Sequence, residues 1–84
     1  MLNLVYFARL RESLGRPAEQ IELPPGVSDL ASLRAHLRGR GGVWTTELSA
    51  GRPVRAAINQ QMARDDSPIA DGDEIAFFPP VTGG

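Results

Sequence analysis

Apolar and polar residues alternate near both ends of this 84-residue chain and recur at helical spacing between them. At the start, Leu2, Leu4 and Tyr6 share one side of an extended segment, while Asn3, Val5 and Phe7 share the other, so residues 2–8 read as a strand. The Leu2 side, with Ala8 following, is the expected core face. Phe7 is then on the opposite face, either covered by a neighbouring loop or kept for a partner. Residues 9–14 suit a short helical turn that stops at Gly15, a residue at ease in the left-handed conformation. A second strand over 19–23 turns Ile21 and Leu23 inward and ends at Pro24-Pro25-Gly26. Two strands with a brief connection predict an antiparallel hairpin.

A helix opens next, with Ser28 as N-cap and Asp29 at the positive end of the dipole. Leu30, Leu33 and Leu37 recur at i, i+3 and i+7 and mark its buried stripe. Arg34, Arg38 and Arg40 fall outside that stripe and read as a solvated face, with docking to an acidic partner the sharper alternative; His36 beside them reads as a surface histidine. Gly39, Gly41 and Gly42 end the helix. Residues 43–53 look irregular, with Trp44 anchoring them on the body. Val54, Ala56 and Ile58 alternate as a third strand, and Asn59-Gln60 is a tight turn into a short return around Met62. Asp65, Asp66, Asp71 and Asp73 lack the spacing of a calcium loop, and Asp71-Gly72 is a turn pair, so turn chemistry is preferred to metal binding. The last strand, 74–78, puts Ile75 and Phe77 on one face and Ala76 and Phe78 on the other. The expected order is strand, strand, helix, strand, strand: an α+β domain whose mixed sheet grips one main helix.

Composition changes this picture little. Eighty-four residues make one core, and 42% apolar with 23% charged residues is ordinary for a globular protein. A net charge of −1 offers no overall basic field for nucleic acid or anionic lipid. Cysteine is absent, which excludes disulfides, thiolate metal sites and a cysteine nucleophile. No basic-then-apolar leader precedes the first strand and no apolar run is long enough to span a membrane, so a cytoplasmic protein is expected. All nine basic residues are arginine. Codon bias accounts for this, and so would a chain whose own terminus is activated for acyl transfer and gains from having no ε-amine.

The candidate chemistry lies at the end of the chain. Pro79 and Pro80 fix φ near −65° and hold the backbone extended, Val81 and Thr82 resist helix, and Gly83 and Gly84 carry no side chain. At about 3.3 Å per residue, Pro79 to Gly84 reaches about 20 Å beyond the body. A stiff base with a slim tip suits delivery of a carboxylate into a narrow pocket, and the stiffness lowers the entropic cost of docking. Residues 1–78 are therefore the folded domain, and 79–84 an extended Gly-Gly tail. Phe78 and Phe7, both off the core face, are the candidate partner contacts. The chain carries no phosphate-cradling glycine loop, metal constellation or Ser-His-Asp logic.

These residues resemble the β-grasp, ubiquitin-like sulfur carriers, and most of all the small subunits of molybdopterin synthase. The resemblance rests on Val5-Tyr6-Phe7-Ala8 with Arg11-Glu12, on Ala57-Ile58-Asn59-Gln60, and on the run from Asp71 to Gly84. It covers the whole chain, and its specific part is the last fourteen residues. It implies a carrier cycle. An adenylyltransferase resembling the ubiquitin-activating enzyme would use ATP and Mg²⁺ to adenylate the Gly84 carboxylate. A persulfide sulfur donor would convert the adenylate to a thiocarboxylate. The tail, residues Pro79, Pro80, Val81, Thr82, Gly83 and Gly84, would enter the large synthase subunit and pass its sulfur to cyclic pyranopterin monophosphate, within a heterotetramer of two small and two large subunits. The chain itself would bind no cofactor or metal, and the active site would belong to the large subunit. Three other readings stand beside this one: a carrier for thiamine thiazole synthesis, a ubiquitin-like modifier forming isopeptide bonds through Gly84, and an interaction module with an inert tail.

Overall fold

The computed structural model describes residues 1–49 and 51–80. Val81, Thr82, Gly83 and Gly84 lie outside them, as does Ala50. Strand β1 (Leu2–Tyr6) is followed by helix α1 (Ala8–Leu14), strand β2 (Ala18–Ile21), helix α2 (Leu30–Arg38) and the short helix α3 (Val43–Glu47). Strands β3 (Arg55–Ile58), β4 (Gln61–Met62) and β5 (Glu74–Phe78) complete the order. The five strands make one sheet in the order β2-β1-β5-β3-β4, in which only β1 and β5 run parallel. The expected mixed sheet is present, and so is the antiparallel pairing of β1 with β2.

Period-2 alternation puts Leu2, Leu4 and Tyr6 of β1 and Ile75 and Phe77 of β5 on the inner face, each at most 1% exposed. Leu30, Leu33 and Leu37 of α2 cover them, joined by Leu10 and Leu14 of α1 and by Trp44 and Leu48 around α3. One helix was expected over the sheet; three share the task. Residues 43–53 are accordingly not all irregular. Val43, Thr45 and Thr46 are β-branched and argue against helix, but a single turn there buries Trp44 and Leu48, and burial outweighs propensity.

Two ends differ from expectation for local reasons. The first strand stops at Tyr6, because Ala8 turns away with φ 53° and is exposed rather than part of the core. The Phe7 carbonyl already accepts from Leu10 and Arg11, which commits the chain to α1. The N-cap of α2 is Asp29, not Ser28. Asp29 accepts from the Ser32 amide at 2.8 Å, and the Ser32 hydroxyl accepts from the Asp29 amide at 3.1 Å. Counted from Ser28, the answering position is Ala31, which has no side-chain acceptor, so the reciprocal box closes only around Asp29. The second strand is also shorter than 19–23, though Ile21 and Leu23 still pack on the core.

The turns behave as their residues dictate. Asn59 and Gln60 take φ values of 50° and 69° and close the β3–β4 hairpin. The Asn59 side chain donates to Asp73 at 2.9 Å and accepts from the Glu74 amide at 3.0 Å, tying that hairpin to the start of β5. Asp73 also accepts from the Ala70 amide, Gly72 has φ 96°, and Asp71 pairs with the Met1 ammonium. These aspartates do turn chemistry.

The arginines of α2 are not the solvated face that their positions suggest. Arg34 donates to four backbone carbonyls, those of Leu48, Ser49, Arg52 and Val54, at 3.0–3.3 Å. Arg38 adds a second bond to Leu48. The segment between α3 and β3 has few ladder bonds of its own, and the Arg34 guanidinium supplies what its carbonyls lack. Arg34→Ala should destabilise the fold by about 2 kcal/mol, since several acceptors lose a charged donor together. Urea denaturation measures this, and a loss below about 0.5 kcal/mol would mean water replaces the guanidinium without penalty.

Candidate docking and transfer site

Strand β5 is the middle strand of the sheet and ends at Phe78. The chain continues straight into Pro79 and Pro80, both half-buried and outside any regular element. Gly83, Gly84, Val81 and Thr82 fall beyond the described residues. The tail's base is therefore fixed by a strand bonded on both sides.

Phe78 and Phe7 are brought together. The parallel register pairs Tyr6 with Phe77, so one step further Phe7 lies beside Phe78, and the Phe7 amide donates to the Phe77 carbonyl at 3.1 Å. Both side chains leave the sheet on the face turned away from the helices, as alternation requires. Phe7 is 48% exposed and Phe78 half-buried. Between the aromatics and β4 the same face is paved with small residues: Ala76 sits between Val5 and Ala57 in register. Met62 pairs with Ala57 and is 63% exposed, extending this apolar face to the sheet's edge. Sequence reasoning placed Met62 on a short return after the Asn59-Gln60 turn but gave it no part in the site; its pairing opposite Ala57 is the signal that places it here. A flexible thioether at an exposed edge adapts readily to a partner.

The inner side of the same strand ends is locked by an aromatic and ionic network. Tyr6 stacks on Phe77 at 6.1 Å between ring centroids and meets Trp44 edge-on at 5.6 Å. The Tyr6 hydroxyl donates to Glu19 at 2.8 Å, and Arg40 grips the same carboxylate with both terminal nitrogens at 2.8 and 3.0 Å. Arg40 also lies over the Trp44 ring, 4.4 Å from its centroid. Arg40 is thus a buttress for the indole rather than a free surface charge. Burial raises the Tyr6 hydroxyl far above the usual tyrosine value, and the Glu19 hydrogen bond and charge raise it further. For Glu19, burial works to raise the carboxyl, but the bonds from Arg40 and Tyr6 and the charges of Arg40 and Arg16 outweigh it and hold the group below the usual range. Arg40 is raised in return, chiefly by its bond to Glu19.

At this end too, Glu47 is 6% exposed and stands 3.9 Å from Arg9 and 3.7 Å from Arg52. Among the described residues, no group of three or more His, Asp or Glu side chains is placed to hold a metal. His36, the one histidine, is exposed on α2. What this end of the molecule offers is a rigid mount and an apolar face.

A mixed sheet of this strand order, with its first and last strands parallel at the centre and a main helix across one face, is a ubiquitin-like β-grasp. Within that class the chain belongs to the ThiS family, whose model matches residues 4–84. The molybdopterin synthase sulfur carrier subunit of Haemophilus influenzae is 42% identical, with the whole of both chains covered. A Pyrococcus furiosus structure put forward as subunit 1 of a molybdopterin converting factor is 30% identical, with a TM-score of 0.76, over 95% of this chain and 97% of that one. A chain in a complex of subunits 1 and 2 of the molybdopterin-converting factor of Helicobacter pylori is 25% identical, with a TM-score of 0.64, over 99% of this chain and 97% of that one.

The Glu19 network sets a pH dependence. Because the folded-state pKa is depressed, its contribution is complete above the ordinary carboxylate range and is lost as the pH falls through the folded value. Glu19→Gln should therefore be less stable than the parent near neutral pH, and the gap should close below about pH 4. Thermal melts of both chains from pH 7 to pH 3 check this; a gap constant across that range would assign the loss to packing alone.

Proposed function

We propose that this chain is the sulfur carrier of a molybdopterin synthase. The observation that carries it is that central strand β5 runs unbroken into the tail, beside an exposed aromatic pair, in a chain matching a sulfur carrier subunit end to end. Residues 1–78 are the mount and residues 79–84 the inserted arm. The reacting atom is the carbonyl carbon of Gly84. A carboxylate is a poor electrophile, so a ubiquitin-activating-like adenylyltransferase first joins it to AMP, using ATP and Mg²⁺ and releasing pyrophosphate. A persulfide donor's terminal sulfur then displaces AMP to form an acyl disulfide, and a thiol attacks the donor-side sulfur, forming a disulfide with the donor and releasing the thiocarboxylate. The large synthase subunit receives Pro79, Pro80, Val81, Thr82, Gly83 and Gly84 in its active site, where the sulfur passes to cyclic pyranopterin monophosphate. Two carriers and two large subunits make the working complex, in the cytoplasm.

Phe78 and Phe7 dock on the large subunit and set the depth to which the arm enters. The carrier contributes no catalytic side chain of its own. Its role is to bring one activated carbon to a defined place, which accounts for a stiff base and a bare tip.

Incubation with ATP, Mg²⁺, the cognate activating enzyme, a persulfide donor and a thiol reductant should shift the intact mass by one oxygen-for-sulfur exchange. The chain lacking Gly84 should show no shift and support no molybdopterin formation; sulfur loading of that truncated chain would end this reading. Phe78→Ala should weaken binding to the large subunit by more than about 1 kcal/mol in a calorimetric titration, while equal affinity would remove Phe78 from the interface.

A further inference from the structure

Although the chain is nearly neutral, its charges are sorted by strand direction. Strands β1 and β5 run parallel, so both end where the tail leaves, and antiparallel β3 begins there. At that end Arg55 is exposed and pairs in register with Phe78 on the outer face. Arg9 follows Phe7 by two residues, and Arg52 leads into β3; both reach Glu47, which neutralises only one of them. Their side chains remain 58% and 39% exposed.

The other end is acidic. Asp71, Asp73 and Glu74 lie where β5 begins, and Glu22 follows the residue of β2 that pairs with Leu2. Asp65 and Asp66 lie past the edge strand, against the start of α2, where the Asp65 carbonyl accepts from Ala31. Arg64, which follows edge strand β4, is 86% exposed and pairs with Asp66. The molecule therefore carries a dipole along its strands with the positive pole around the root of the tail.

We infer that the arginines ringing the tail root, Arg55 above all, steer docking onto a partner surface whose tail-receiving mouth is rimmed with carboxylates. The partner is the large subunit, so the inference rests on the reading above and adds the chemistry of that subunit's rim. Charge at the root adds what the apolar face cannot. Phe7, Phe78 and Met62 hold a complex once water is expelled, but they exert no force at a distance. A charge pair attracts over roughly 10 Å at 0.1 M salt and orients the approaching carrier tail-first. The acidic pole is repelled by the same rim, which disfavours the reversed approach.

The test is the association rate of the full chain with its large subunit, by stopped flow across a range of salt concentrations. Arg55→Gln and Arg64→Gln remove the same charge, one in register with Phe78 at the tail root and the other past the edge strand beside Asp66, so net charge is matched and only position differs. The expected result is a parent rate that falls steeply with salt. Arg55→Gln should associate about threefold more slowly at low salt with dissociation little changed. Arg64→Gln should associate about as fast as the parent, because Asp66 already offsets that charge and it stands away from the tail root. Melting curves within a few degrees of the parent show that neither variant acts through the fold. A parent rate indifferent to salt, or equal rates for the two variants, would overturn the steering while leaving the carrier role intact. Failure of the parent to bind the large subunit at any salt would overturn both.

Discussion

The parallel pairing of the first strand with the last holds this molecule together. Leu4 opposite Ile75 and Tyr6 opposite Phe77 form the centre of the core, yet they stand about seventy residues apart in sequence. A parallel pair needs a crossover connection, and here everything between Tyr6 and Glu74 is that connection. The helices and the β3–β4 hairpin are carried in the crossover and pack back on the pair that it joins. Because Pro79 and Pro80 continue directly from β5, the place at which the chain leaves the sheet is set only when this most non-local contact has formed. A misfolded chain would carry the same Gly-Gly end with nothing to aim it.

Arginine supports that arrangement in ways lysine would not. Arg34 bonds four carbonyls that approach from different residues, and Arg40 grips Glu19 with two nitrogens while its plane covers Trp44. Both uses need a planar fork with several fixed donors, whereas a lysine ammonium is a compact point charge. At these two sites the absence of lysine has a structural reason. Arg55, exposed on the outer face, has no such duty in the fold.

The two faces of the sheet divide the work. Inside, Tyr6 and Phe77 are stacked, buried and backed by Trp44. Outside, one residue further along each strand, Phe7 and Phe78 meet on the open face. The alternation that buries one aromatic pair presents the other, so the exposed apolar face and the core are coupled through the peptide bonds that join Tyr6 to Phe7 and Phe77 to Phe78. Small residues at Ala57 and Ala76 keep the floor between Phe78 and Met62 low.

Much of this was legible in the order of residues. Strand and helix periodicity marked the inner faces of β1, β5 and α2, and Asn59-Gln60, Asp71-Gly72 and Gly15 announced their turns, because these features depend on neighbours within a few positions. The tail's stiffness and bareness follow from Pro79, Pro80, Gly83 and Gly84 alone. Other features depended on contacts between distant segments. Residues 43–47 form a helix only because a hydrophobic cavity takes Trp44 and Leu48. The arginines of α2 became clamps only because carbonyls from residues 48–54 came within reach, and Met62 joined the outer apolar face only through its pairing with Ala57. Local rules choose each segment's conformation and inward side; which groups meet across the sheet, and therefore which charges are consumed by the fold and which stay free, is decided by long-range packing.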